Sequence, residues 1–217
     1  PPVQANFPTI YFPPANPTGP RHHFAQIDSW LGSGVSLEFE ADLPMDQDGT
    51  ANITPTYDLA DRDSLSLAAG RDDGVPWPVL LDSCGSITMP YAVTIVPGAP
   101  TIPRFVNAWF DWNHDGDWAD SLTCPGSAPV PEWTVQDQVL GLGPGTHRVS
   151  SPIFTPKVQI TENAPFETWL RISLGDMPAP APQDGRGPPQ GYDLGETEDY
   201  LLFLHPALLL TTTLPYN

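Results

Sequence analysis

The chain is short of cations. Its 217 residues carry 8 Lys+Arg against 26 Asp+Glu, a formal net charge of −18, and Lys157 is the sole lysine. Nucleic acid and anionic membrane surfaces each demand a basic face, which so few cations cannot assemble, so neither is an expected partner. Long apolar runs are also lacking. The longest, Leu201-Leu202-Phe203-Leu204-His205-Pro206-Ala207-Leu208-Leu209-Leu210, is too short and too interrupted to span a bilayer. Cysteine is scarce: Cys84 and Cys124 are the only two. In an acidic, lysine-poor, Pro-rich chain they read as one disulfide of an exported protein, with two buried free thiols as the alternative. Closing the loop between them contributes about 4 kcal/mol in the chain-entropy model. The sequence opens at Pro1 with neither a charged n-region nor an apolar h-region, which reads as a processed mature chain or a fragment. The expected location is extracellular, secreted or at the cell surface.

Catalytic motifs are missing too. There is no Gly-x-Ser-x-Gly elbow, His-Glu-x-x-His, P-loop or Cys–His arrangement at a recognisable spacing, and no enzyme is expected. Proline, by contrast, is abundant. With 29 Pro and 18 Gly, long helices are excluded, because each interior Pro breaks one. Forty per cent hydrophobic residues, including 7 Trp, 9 Phe and 6 Tyr, argue equally against disorder. A chain of this length buries about 70% of its unfolded surface, enough for one sizeable core.

Three segments are expected. Residues 1–24 form a Pro-rich extended arm around Phe7-Pro8-Thr9-Ile10-Tyr11-Phe12, which cannot be a central strand of its own sheet. Residues 25–204 alternate short β-like runs with turn chemistry, at 35–41, 87–96, 105–112, 133–140, 147–154, 168–174 and 197–204. Residues 205–217 make a β-prone C-terminal tail. Short strands with long Pro/Gly-rich loops predict an all-β, antiparallel β-sandwich with extended terminal arms; a barrel remains the alternative.

One loop carries metal chemistry. Asp111-Trp112-Asn113-His114-Asp115-Gly116-Asp117 places oxygen side chains at positions 1, 3 and 5, Gly at 6, and at 7 a residue that ligates through its carbonyl. This is the spacing of a calcium loop. Leu122 stands at position 12, where an EF-hand has Glu, so a bidentate carboxylate must come from elsewhere. A plain Asp/Asn/Gly turn is the alternative. A second acidic group is Gly195-Glu196-Thr197-Glu198-Asp199-Tyr200. In an extended chain Glu196 and Glu198 share one face and Asp199 takes the other. Glu198 is the first candidate for the missing calcium ligand, ahead of a charged start to a strand and of a catalytic carboxylate pair.

These features resemble the GEVED domain, a module of exported bacterial proteins named for its Gly-Glu-Val-Glu-Asp signature. Residues 195–199 carry that signature with Thr197 in place of Val. The family's aromatic strand running into an Asp-x-Asn-x-Asp-Gly-Asp-Trp loop is matched by 107–118, its Asp-Gly-Val segment by Asp73-Gly74-Val75, and its Arg-bearing strand by 169–174. The resemblance implies a β-sandwich-like extracellular module with calcium loops and no known catalysis. It also brings Asp73 in beside the main loop, giving an expected calcium set of Asp111, Asn113, Asp115, Asp117, Glu198 and Asp73.

Function is then weighed between two readings. The first is a calcium-stabilised subunit of an extracellular filament or surface assembly. In it a terminal arm adds as a donor strand to a neighbouring copy's sheet, making a homopolymer. Phe7, Ile10, Tyr11 and Phe12 of the N-terminal arm are its assembly residues, with the 208–214 run of the tail as acceptor or alternative donor. The second is a glycan- or protein-binding module, with Trp77, Trp112, Trp118 and Trp133 as candidate platforms for sugar rings.

Overall fold

In a computed structural model the chain folds through strands alone. The structure describes residues 20–23, 27–35, 73–76, 79, 81–113, 117–158, 167–180 and 184–203, and no helix occurs among them. No helix there is long and apolar enough to cross a membrane. In chain order the strands are β1 (Ser29–Leu31), β2 (Pro90–Ile95), β3 (Arg104–Asp111), β4 (Ser121–Thr123), β5 (Pro129–Pro131), β6 (Trp133–Leu140), β7 (Gly145–Ser150), β8 (Glu167–Gly175) and β9 (Glu196–Phe203). They pair antiparallel throughout, as a three-stranded sheet β1-β2-β7, a four-stranded sheet β6-β3-β8-β9 and a small β4-β5 ribbon.

The two larger sheets form the expected sandwich. Period-two alternation in β2 turns Tyr91, Val93 and Ile95 inward. They meet Leu31 of β1 and, from the other sheet, Val106, Ala108, Phe110, Leu170, Ile172, Leu174 and Leu202. The aromatic run of β3 has a different consequence, because this strand is buried on both faces. Its second face carries Trp109, which joins Trp118, Trp169 and Ala179 in a separate apolar cluster, with Trp133 against it.

Local chemistry sets the strand limits. Pro90 opens β2 where its absent N–H costs least. A bulge in β6 puts Asp137 at φ 47°, and the Asn107 side chain fills the break. Asn107 Oδ1 accepts from the Asp137 amide at 2.8 Å and from Trp133 Nε1 at 2.9 Å, while its Nδ2 donates to Asp137 Oδ1 at 3.1 Å. Such a bulge is unpaired backbone, and the amide side chain supplies its partners. The sequence runs at 105–112, 133–140, 168–174 and 197–204 correspond to β3, β6, β8 and β9. β7 ends before Pro152, and Phe154 makes only an isolated bridge to Ile87. Residues 1–19 of the terminal arm, the tail and nearly all of 35–41 lie outside the described residues.

Cys84 and Cys124 form a disulfide across a sequence separation of 40. It ties the 82–85 turn to the end of the β4-β5 ribbon, with Cys124 inside the core. Replacing both cysteines by Ala is expected to lower unfolding free energy by about 4 kcal/mol. The check is a urea melt of both proteins, in which an unchanged midpoint would show that the bridge contributes nothing.

Candidate functional site

The acidic signature lies on β9, and strand alternation divides its labour. Glu196, Glu198 and Tyr200 turn to the inner face, Thr197 and Asp199 to the outer one. Glu196 Oε2 accepts the Leu31 amide of β1 at 2.9 Å. Glu198 Oε1 accepts the amides of both Asp73 and Gly74 at 3.1 Å, and its Oε2 accepts the Tyr200 hydroxyl at 2.7 Å. The same Tyr200 oxygen accepts the Val75 amide at 3.0 Å. Three successive amides of the 73–75 segment are therefore held by two side chains of β9. Asp73 extends the grip, its carboxylate accepting the Ser33 amide at 2.8 Å and the Ser33 hydroxyl. A Cβ at Gly74 would run into the Glu198 carboxylate, which gives the Gly of Asp-Gly-Val its reason. Gly195 has φ +97°, and a Cβ there would meet the Leu174 carbonyl.

Burial pushes the Glu198 carboxyl up to about 8. The Tyr200 hydroxyl and the Gly74 amide pull it back, the Asp73 charge adds to the rise, and the Asp73 amide opposes it. On the outer face Asp199 meets Arg171 of β8 in a two-point contact, Nε to Oδ1 at 2.7 Å and Nη2 to Oδ2 at 2.6 Å. Both side chains are buried. Arg171 Nη1 donates to the Gly185 carbonyl at 3.2 Å, and the guanidinium carbon lies 5.9 Å from the Trp118 ring centroid.

The calcium-type loop leaves the end of β3. Asp111 is buried, and its carbonyl accepts the Thr168 hydroxyl at 2.7 Å. Asn113 Nδ2 donates to Asp120 Oδ2 at 2.8 Å, and Asp117 Oδ1 accepts the Ala119 amide at 2.8 Å. Asp115, with His114 and Gly116, lies outside the described residues. A carboxylate from elsewhere does reach the loop: Glu132, buried between β5 and β6. Its Oε1 accepts the Trp112 amide and its Oε2 the Asp120 amide, both at 3.1 Å. Backbone pairing fixes it there, since Phe110 donates to the Glu132 carbonyl at 3.0 Å and Glu132 donates to the Asp120 carbonyl at 2.9 Å.

Residues 105–203 match the family model of the GEVED domain. The chain carries a GEVED domain. No curated protein and no solved structure matches the chain. The match runs from β3 through β9, so the loop, Arg171 and the signature all belong to the GEVED domain. The partners gripped by Glu196 and Glu198, in β1 and 73–75, come from the chain ahead of it. GEVED is a family of non-catalytic modules.

Two acidic sets thus stand apart in and beside the GEVED domain. Asp73 and Glu198 come together, as two conspicuous acids in the sequence. Glu198 pairs with Ile172, which pairs with Ala108, two strands over and three residues back from Asp111. That is about 10 Å along the strands and two strand spacings across. The loop set is Asp111, Asn113, Asp117, Asp120 and Glu132. Sequence reasoning passed over Glu132, whose one signal is an acid in the inward phase between buried Val130 and the start of β6. The loop's donors are all oxygens, the chemistry that suits a hard cation. No three His, Cys, Asp or Glu of the described residues converge closely enough to hold an ion by themselves.

Three of the tryptophans raised as sugar platforms are packed instead. Trp112 stacks on Phe110 with centroids 4.4 Å apart, Trp118 lies buried beside Arg171, and Trp133 stacks on Trp109 at 6.3 Å. Trp77 lies outside the described residues, as do Phe7, Ile10, Tyr11 and Phe12 of the arm.

Two substitutions test the signature. Asp199→Ala strands a buried guanidinium and is expected to cost about 3–5 kcal/mol. Glu198→Ala removes the acceptor of three donors and is expected to cost about 3 kcal/mol, with Glu198→Gln costing less. Chemical denaturation reads both. Losses under 1 kcal/mol at both positions would mean that the signature does not hold the fold together.

Proposed function

We propose that the chain is a non-catalytic, exported structural module, stiffened by Ca2+ at loop 111–120 and joined to copies of itself by strand addition from its N-terminal arm. The observation that carries the structural reading is the use of the signature acids. Glu196, Glu198 and Asp199 each bind a group of the same chain, which commits these three acids to holding the fold. The fold is assembled around these contacts, as suits a building block.

The calcium reading rests on the loop's donor chemistry. Asp111, Asn113, Asp115 and Asp117 follow the spacing that turns alternate oxygens toward one point, and Glu132 lies across both ends of the loop. A bound ion would offset the charge gathered there. Chelation is expected to lower the melting temperature, and Ca2+ but not Mg2+ to restore it. At a hundredfold excess over Kd the ion would contribute about 2.7 kcal/mol. A melt that ignores both chelator and calcium would remove the ion from the account.

Assembly is supported by exposed strand edges and by the arm's sequence. Among the described residues β7 pairs with β2 alone and is largely exposed along its length. The segment 7–12 is apolar, and its one Pro would sit on the edge facing away from an acceptor if Phe7, Thr9 and Tyr11 made the hydrogen bonds. Removing residues 1–19 is expected to leave a folded monomer that forms no polymers under negative-stain microscopy. Polymers from the shortened chain would overturn the donor-strand reading.

A further inference from the structure

The arm's root sits on the GEVED domain. His22 and Tyr192 form a parallel bridge, in which the His23 amide donates to the Tyr192 carbonyl at 2.9 Å and the Tyr192 amide donates to the Arg21 carbonyl at 2.8 Å. The Arg21 guanidinium reaches the Pro189 carbonyl. Gly191, at φ +92°, lets the two backbones approach; a Cβ there would lie 3.2 Å from the Arg21 carbonyl oxygen.

The His22 ring is what the seat is shaped for. It stacks on Tyr192, with centroids 5.0 Å apart and planes at 22°. Its Nδ1 lies 3.2 Å from the Leu194 carbonyl and its Nε2 2.9 Å from Thr197 Oγ1. A carbonyl oxygen can only accept, so Nδ1 carries the proton and Nε2 accepts from the Thr197 hydroxyl. Ser173 Oγ, 2.7 Å from Thr197 Oγ1, completes the chain. Thr197 is the position at which the GEVED signature has Val. A valine could offer the ring nothing to accept, so the departure from the signature and the histidine explain each other.

We propose that residues 189–197, with Ser173, form a seat for the extended Arg21-His22-His23 segment, a latch that holds the arm's root to the module while His22 is neutral and releases it when His22 is protonated. The groups around the ring favour the neutral form. Tyr192 stacks on it, Thr197 and Ser173 are uncharged, and Glu196 and Glu198 on either side of Thr197 turn to the other face of the sheet. On its own segment Arg21 and His23 are cationic or able to become so. Asp193 is committed to His23 at 3.1 Å, and Asp176 to the Asp193 amide at 3.1 Å. Burial accordingly lowers His22 from 6.5 to about 4, against the Leu194 carbonyl and with help from His23. For a depressed histidine the docking contribution is complete above 6.5 and is lost as pH falls toward 4.

The test is nuclear magnetic resonance on the full chain, following the His22 ring nitrogens and the exchange of the His23 and Tyr192 amides, corrected for intrinsic rate. Neutral His22 with the proton on Nδ1 is expected at pH 7. Between pH 6 and 4 the two amides should lose protection by about tenfold or more, while β8 amides keep theirs. Thr197→Val should weaken protection of the same two amides at pH 7 and raise the pH at which His22 titrates. Titration of His22 near 6.5, protection that stays flat to pH 3.5, loss of β8 protection in step with the latch, or an unaltered Thr197→Val variant would each overturn the proposal.

Discussion

The fold depends on buried carboxylates that accept backbone amides. β1 and the 73–75 segment lie beside β9 without completing a ladder with it, so their amides need acceptors from somewhere else. Glu196, Glu198 and Tyr200 provide them from consecutive inward positions of one strand. A carboxyl group suits this task because it offers acceptor sites on two oxygens at the end of one side chain. Each such bond contributes about 0.5–1.5 kcal/mol, more where the acceptor is charged, and leaving a buried amide without an acceptor costs about 1–3 kcal/mol. The raised Glu198 carboxyl reflects how dry that position is.

The outer face uses charge differently. Arg171 and Asp199 are buried as a pair, and such a pair adds little net stability although losing either partner is costly. Its value here is geometric. The guanidinium ties β9 to the Gly185 carbonyl and lies against Trp118, the residue that follows the calcium-type loop. Glu132 does a similar thing from the far side by strapping Trp112 and Asp120. The loop is thus held to the sheet by Arg171 of β8 and by Glu132 between β5 and β6.

The sandwich was legible because apolar alternation and proline spacing are local signals. β3, β6, β8 and β9 follow from them almost residue by residue, as does the division of Glu196 and Glu198 from Asp199. Three strands were not legible: β1, β4 and β5 have three residues each, and β5 begins and ends with Pro. The partners of the acids were hidden for another reason. Glu198 and the Asp73 amide are 125 residues apart, and nothing in an acid's own sequence neighbourhood says whether it will accept amides or ligate an ion. Glu132 was passed over on the same ground. Trp112, Trp118 and Trp133 seemed available because they border loops, whereas Trp112 packs into the sandwich core and Trp118 and Trp133 cover the second face of β3.

The division of labour between the two acidic sets can be read directly. Carboxyl carbon shifts of Asp and Glu, followed while Ca2+ is added to the full chain, report each side chain separately. The account predicts that Glu132, Asp117 and Asp111 move while Glu196, Glu198 and Asp199 stay where they are. Calcium-dependent movement of Glu198 and Asp199, with Glu132 unmoved, would contradict it.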